Sequence, residues 1–444
     1  VDMSPMLQAR EAPWARAARE DDELLDAITH AVGGPFHLIY PDRFADNLGA
    51  FQAVLCAHGV TGRVYFGKKA NKAGAWLSEV ARLGGAVDVA SVPELVHCLA
   101  HGIRGEDIGV TGAAKSDELL WLAARHGCTV AIDALDELER AVAIATGERP
   151  LAVLLRVLPA GSPHSRFGLN DGDLETALQR CATSRQAIEM RGFSFHLDGY
   201  QVEPRAEFAG VLVDRCLEAR ERGFPARAIS IGGGFACAYV DEEDWRSFLE
   251  GLDVRQFHAD RHFERFYPYF QTPTGASMLE AILRNRSAGR SLATRLSESD
   301  VSLYLEPGRA LLDGAGMSIF PVQGFKRNDA HGIVTVAGLS MSLSEQWKGS
   351  EYLPTPILVQ RGPPREQRPV QAAVGGSSCM EYDVLTWRKV SFPATPRHGD
   401  LVVYANTAGY QMDKNESEFH QLPLPPKIVL TRRDGRFLWR RDER

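Results

Sequence analysis

The polar residues that end this chain's apolar runs are of types that can do chemistry together. Lys69 closes the run Val64-Tyr65-Phe66-Gly67-Lys68 and leads through Ala70-Asn71 into helical sequence. Asp88, Thr111-Gly112, Asp133, His196, Gly232-Gly233-Gly234 and Glu306 stand at the ends of other runs. A lysine amine can hold an aldehyde as a Schiff base, and an imidazole face can stack on a ring. Bare glycine amides admit a phosphate, and a buried carboxylate can face a ring nitrogen. Together these are the requirements of pyridoxal 5′-phosphate. Desolvation at a sheet edge is expected to lower the Lys69 pKa and help it exchange imines.

Positioning these groups needs strands that end at one level. Apolar runs at 64–68, 86–90, 107–111, 129–133, 152–158, 193–197, 228–232 and 302–306 alternate with helical sequence. In the first helix Ala73, Leu77, Val80 and Ala81 fall on one face. The fold class is therefore α/β: a (β/α)8 TIM-like barrel followed by a C-terminal all-β domain, with an open doubly wound sheet as the alternative. Residues 1–35 form an N-terminal segment, partly flexible, with one helix at 22–31. The cofactor-binding barrel spans 36–309, with helices in its long 235–300 insert. The β domain spans 310–444, and the run at 36–40 is a candidate extra strand for it. That domain holds alternating runs at 332–337, 356–360, 401–404 and 427–430, and a terminal hairpin turning at Asp434-Gly435.

Composition narrows the function. At 444 residues, 44% hydrophobic and 24% charged, the chain is long enough for two or three domains. A net charge of -7 gives no reason to expect nucleic acid, and no run suits a membrane span or an apolar leader. The seven cysteines (56, 98, 128, 181, 216, 237 and 379) are dispersed without a Cys-x-x-Cys pair, so free thiols and a cytoplasmic location are expected. His97/His101 and His258/His262 have helical spacing but no placeable third ligand, so no metal site is assigned.

Phe66-Gly-Lys-Lys69-Ala-Asn, Gly85-Ala-Val-Asp88-Val-Ala-Ser, Ser165-Arg-Phe-Gly168, Ser194-Phe-His196, Gly232-Gly-Gly, Glu306-Pro-Gly-Arg309, Cys379-Met-Glu-Tyr-Asp383 and Ala408-Gly-Tyr410 occur in this order. From about 36 to 430 the chain resembles the fold-type III pyridoxal-phosphate decarboxylases, the group of ornithine and diaminopimelate decarboxylases. The resemblance implies that Lys69 is the Schiff-base lysine and His196 the ring stacker. It implies that Gly232, Gly233, Gly234, Arg309 and Tyr410 hold phosphate, and that Glu306 faces the ring nitrogen. Asp88 and Arg156 are expected behind Lys69 and the ring hydroxyl. Cys379 would come from the second subunit of a homodimer with shared sites and donate the proton after decarboxylation. Met380, Glu381 and Asp383 would face the substrate.

Departures from the pattern bear on the substrate. The group's His-x-Gly-Ser is here His196-Leu-Asp-Gly199-Tyr200, so a phosphate-binding hydroxyl is missing. Met380 stands where an acidic residue follows the cysteine, and residues 337–346 lack the arginine that binds diaminopimelate's distal carboxylate. The expected reaction is decarboxylation of an amino acid or amino-acid-like biosynthetic intermediate other than diaminopimelate itself. An amino-acid racemase and a catalytically silent cofactor-binding or regulatory homologue are the alternatives.

Overall fold

The computed structural model of the chain describes residues 6–145, 149–159, 161, 164–287, 289–328, 331–343 and 349–443. Phe36–Ile39 (β1) opens the strand series. Gly62–Gly67 (β2), Ala86–Val89 (β3), Ile108–Val110 (β4), Thr129–Ile132 (β5), Leu151–Arg156 (β6), Ile188–Ser194 (β7) and Ala228–Ser230 (β8) follow, alternating with helices. After the short pair Arg286–Ser287 (β9) and Arg290–Ser291 (β10) comes Ser302–Leu305 (β11). β11 pairs in parallel with both β8 and β2, which closes an eight-stranded barrel and excludes the open sheet. β3 and β8 are buried along their whole length, as continuous apolar strands wrapped by helices must be. Gly67 lies opposite Asp88 in the β2–β3 register, so Lys69 leaves its strand beside the Asp88 carboxylate. Ser91 then caps the helix Val92–Ala100 by accepting from the Glu94 N–H, which starts a helix directly behind that carboxylate.

The second domain is a mixed sheet built around Gly316–Arg327 (β12). Its other strands are Gly332–Val336 (β13), Ile357–Val359 (β14), Val370–Gly375 (β15), Val384–Phe392 (β16), Leu401–Ala405 (β17), Lys427–Arg433 (β18) and Arg436–Arg441 (β19). β1 pairs with β12 and β18, not with the barrel. The run at 36–39 thus lies in the second domain's sheet, as its candidate placement there anticipated, although its partners lie nearly three hundred or more residues away.

The N-terminal segment also departs from expectation, with a second helix at Pro13–Arg19 before Asp22–Val32. Trp14, Leu24, Leu25 and Ile28 pack on Phe36, Met317, Ile319 and Leu430 in a core of their own. Each such burial contributes about 1.5–3 kcal/mol, enough to order a segment whose sequence shows little period. The β18–β19 hairpin turns at Asp434 and Gly435, both at positive φ (50° and 79°), as a two-residue turn of this hand demands. In the insert, helices occupy Glu242–Glu250, Gly275–Arg284 and Leu292–Glu298, while 251–274 is largely irregular and packed through Phe257, Phe263 and Phe266. Among the described residues no helix is long and apolar enough to cross a membrane.

Candidate active site

Lys69 sits on a short 3-10 turn, Lys68–Ala70, which rotates successive side chains apart. Lys68 is turned inward, 3% exposed, with its amine donating to the Lys72 carbonyl at 3.4 Å. Lys69 opens into the barrel mouth with 53% of its side chain exposed, and its Nζ stands 3.7 Å from Asp88 Oδ2. Asp88 also accepts from the Thr111 hydroxyl at 2.6 Å. The expected lowering of the Lys69 pKa is not what the geometry gives. Asp88's charge raises it, outweighing the desolvation that opposes it. An aldehyde at this position therefore meets an amine that must first pass its proton to a neighbour.

Across the mouth, Glu306 accepts from the Ser230 hydroxyl at 2.5 Å. Burial, then Asp88's charge, push its carboxyl up to about 7. Asp88, Thr111, Ser230 and Glu306 line one cavity of about 20 Å³. His196 follows β7. Its enclosure, with the charges of Lys69, Arg205 and Arg156, pushes the imidazole down to about 3. The ring is neutral and suited to stacking, not to proton transfer.

Gly232, Gly233 and Gly234 bend around that ring. A Cβ on Gly232 would lie 2.6 Å from His196 Nδ1, and one on Gly233 would lie 2.6 Å from the Glu306 carbonyl. Gly232 and Gly234 also take positive φ, 66° and 80°. Arg156 donates to Asp133 at 3.2 Å and stacks over Phe167. Asp133 also accepts from the Gly168 N–H at 3.0 Å, so the Ser165–Gly168 motif loop is tied to the same rim. Arg309 lies between the Tyr267 and Tyr410 rings, at 4.2 and 4.9 Å, and donates to the Gly409 carbonyl at 3.1 Å. Tyr410 in turn donates its N–H to the Ala70 carbonyl at 2.8 Å, bringing the second domain to the Lys69 turn.

The barrel residues singled out in the sequence thus converge on one mouth. The Cys379 loop is built elsewhere, between β15 and β16. Cys379 is exposed, and its N–H donates to His420 Nε2 at 3.3 Å. Glu381 projects into solvent, while Met380 is half-buried. Asp383 is 9% exposed, and its carboxylate accepts from the Ser340 and Ser378 N–H groups at 2.7 and 3.1 Å. That oxygen pair is committed to shaping the loop. Ser344 to Trp347, which complete the segment lacking the distal-carboxylate arginine, lie outside the described residues. His258 meets His331 at 2.9 Å, not its helical neighbour His262.

Two residues of the site escaped the sequence reading. Ser230 lies inside an apolar run, where only its alternation with Ile229 and Ile231 marks it as inward-facing. Tyr267 comes from the irregular insert and carried no signal.

This mouth fits pyridoxal 5′-phosphate on its own geometry. The glycine backbone is crowded from behind, so it leaves the open side bare, and the amine and the high-pKa carboxyl face each other across a gap. Barrel enzymes that bind an aldehyde cofactor on a lysine are the class so defined. The chain belongs to the pyridoxal-dependent decarboxylase family, whose pyridoxal binding domain matches residues 49–313. It is 34% identical to the uncharacterized protein y4yA of Sinorhizobium fredii over 91% of this chain and 89% of that one. It is 23% identical to the diaminopimelate decarboxylase of Bacillus subtilis over 94% and 90% of the two chains. Its fold is similar to that of the Helicobacter pylori diaminopimelate decarboxylase complexed with L-lysine, with a TM-score of 0.74 at 18% identity over 94% and 97% of the chains. The lysine/ornithine decarboxylase of Vibrio vulnificus gives a TM-score of 0.69 at 18% identity over 95% and 99%. The protein is a pyridoxal-phosphate-dependent carboxy-lyase acting on an amino-acid-like substrate.

Proposed function

We propose that its substrate is an amino-acid-like biosynthetic intermediate and not free diaminopimelate, ornithine or lysine. The observation that carries this reading is Met380, an apolar side chain directly after Cys379 where an acidic group would grip a distal amine. The absence of arginine from 337–346 supports it, since a second carboxylate then lacks its bidentate partner there.

When bound, pyridoxal phosphate supplies an electrophilic carbonyl carbon and a sink for the electron pair left by departing carbon dioxide. Lys69 would hold the cofactor, and Asp88, 3.7 Å from its amine, is the neighbour that would take and return the amine's proton. Glu306, whose carboxyl burial raises to about 7, would face the ring nitrogen and hold a proton there. His196 would cover one ring face and exclude water from it. Gly232, Gly233, Gly234, Arg309 and Tyr410 would hold the phosphate end, and Arg156 would orient the rim. Once carbon dioxide has left with the bond to Cα broken, the Cys379 thiol of the partner subunit would give a proton to Cα. Asp383 keeps that loop in shape, leaving Met380 and Glu381 to meet the substrate.

The test is a panel of amino acids and their conjugates, read by carbon dioxide release and by optical inversion. Turnover of an uncharged or larger substrate with free diaminopimelate and ornithine inert is the expected result. Rapid turnover of either sinks the proposal, and inversion without gas release favours a racemase. Sharing of sites is tested by mixing Lys69→Ala and Cys379→Ala proteins. Random dimers regain about a quarter of full activity if Cys379 acts across the interface, and none if it acts within its own chain.

A further inference from the structure

Arg205 carries a charge that the fold does not neutralise. It lies in the first turn of the helix Val202–Glu221, yet its side chain is 0% exposed. Nη1 donates to the Ile231 carbonyl at 3.0 Å, and Nη2 donates to the Gly199 and Leu197 carbonyls at 3.1 and 3.4 Å. These acceptors are all neutral. No carboxylate pairs with it among the described residues, and its buried Nε has no hydrogen-bond partner. Burial pulls its pKa down to about 10. A buried guanidinium without an anion is costly, so a negative partner arriving from outside would stabilise it.

Its position says which partner. A Cβ on Gly234 would lie 2.5 Å from Nη2, so the guanidinium is pressed against the third glycine of the cradle. Its charge also reaches His196, whose pKa it helps to lower. The turn that it clamps, Leu197 to Gly199, is the one that lacks the family's phosphate-binding hydroxyl. The buried cation and the turn without that hydroxyl thus lie at one end of one site.

We propose that Arg205 supplies, from behind the glycine cradle, the fixed positive charge that holds the cofactor's phosphate in place of that hydroxyl. It is a positioning residue, acting through its field and through the backbone of Gly199 and Gly234. The proposal rests on the reading that pyridoxal phosphate occupies this mouth.

The test compares pyridoxal 5′-phosphate with pyridoxal, which lacks the phosphate, in equilibrium titrations of the full-length apoprotein followed by absorbance. Arg205→Gln is expected to weaken pyridoxal phosphate about 10- to 100-fold and pyridoxal by less than about threefold. Arg205→Lys, which keeps the charge, should hold the ratio of the two affinities within about threefold of wild type. A purely structural role would weaken both ligands together, so equal losses, or none, overturn the proposal. Wild-type protein that binds neither ligand overturns the cofactor reading and this inference with it. A second measurement needs no variant. Inorganic phosphate should raise the Tm of the wild-type apoprotein above that in sodium chloride of equal ionic strength, and no phosphate-specific rise overturns the proposal.

Discussion

Two lysine–carboxylate pairs stand at the carboxyl ends of the barrel strands, and they are built oppositely. Lys115 and Glu137 are 1% and 0% exposed. The Lys115 amine donates to both Glu137 oxygens and to the Gly112 carbonyl, each at 3.1 Å. Glu137 also accepts from the Lys115 and Asp133 N–H groups, both at 2.8 Å. Every proton on that amine has an acceptor. Lys69 is half exposed, and its carboxylate lies 3.7 Å away, beyond hydrogen-bond reach. A reactive lysine is recognised here by unused donors, since having an acidic neighbour does not distinguish the two.

The largest test of that contrast removes each lysine's function in turn. Lys69→Ala should abolish the borohydride-reducible absorbance band and lower carbon dioxide release by at least about 10³-fold. Its urea midpoint should fall by less than that of Glu137→Gln, because Asp88 loses a nearby cation but keeps its hydrogen bond from Thr111. A colourless wild-type protein, even with added cofactor, would instead point to the silent homologue. Glu137→Gln should do the reverse at the level of folding. It leaves the Lys115 charge buried and unpaired, at a cost of about 3–5 kcal/mol in urea unfolding. A stable Glu137→Gln protein would mean that water reaches Lys115.

Glu306 sharpens the comparison from the carboxylate side. Its folded carboxyl titrates near 7 against an ordinary 4.5, so the folded state binds more protons between those values. Stability from this group is therefore present below about pH 4.5 and is lost as pH rises through 7. The linked change is no more than about 3 kcal/mol in the apoprotein. Glu306→Gln removes the charge and should flatten that slope between pH 5 and 7, measured by urea unfolding at a series of pH values. An unchanged slope would assign the proton to another group, Glu351 being buried and raised to the same region.

Lys69, Glu306 and the glycine run were legible because each follows a largely apolar run at the carboxyl end of a strand, and Asp88 because it is the one charged residue within a fully buried strand. The barrel was legible for the same reason. β12 was not, because Pro321 and Gly324 break its pattern, whereas the run at 36–40 was anticipated as a candidate strand of the second domain, where β1 pairs with β12 and β18. Arg205 was hidden by its setting. An arginine in the first turn of a helix reads as solvated, and only the fold reveals that Gly199 and Gly234 close over it. The direction of the Lys69 shift was likewise beyond the sequence, since it depends on whether Asp88 or desolvation prevails at a few ångströms.

The smallest effect isolates what holds Asp88 ready for Lys69. Its two oxygens divide their work: Oδ1 accepts the Thr111 hydroxyl at 2.6 Å, and Oδ2 faces the amine. Burial already pushes this carboxyl up, and Thr111 opposes that by stabilising the anion. Thr111→Val deletes the donor with little change in shape, so Asp88 should accept a proton at higher pH. The acid limb of cofactor loading, followed by absorbance from pH 5 to 8, should then move up by about one pH unit, the equivalent of one charge-assisted hydrogen bond. The fixed Lys115–Glu137 pair has no counterpart to this shift, because its carboxylate is held by two backbone N–H groups that no side-chain replacement removes. An acid limb that stays in place would show that Lys69 alone keeps Asp88 ionised.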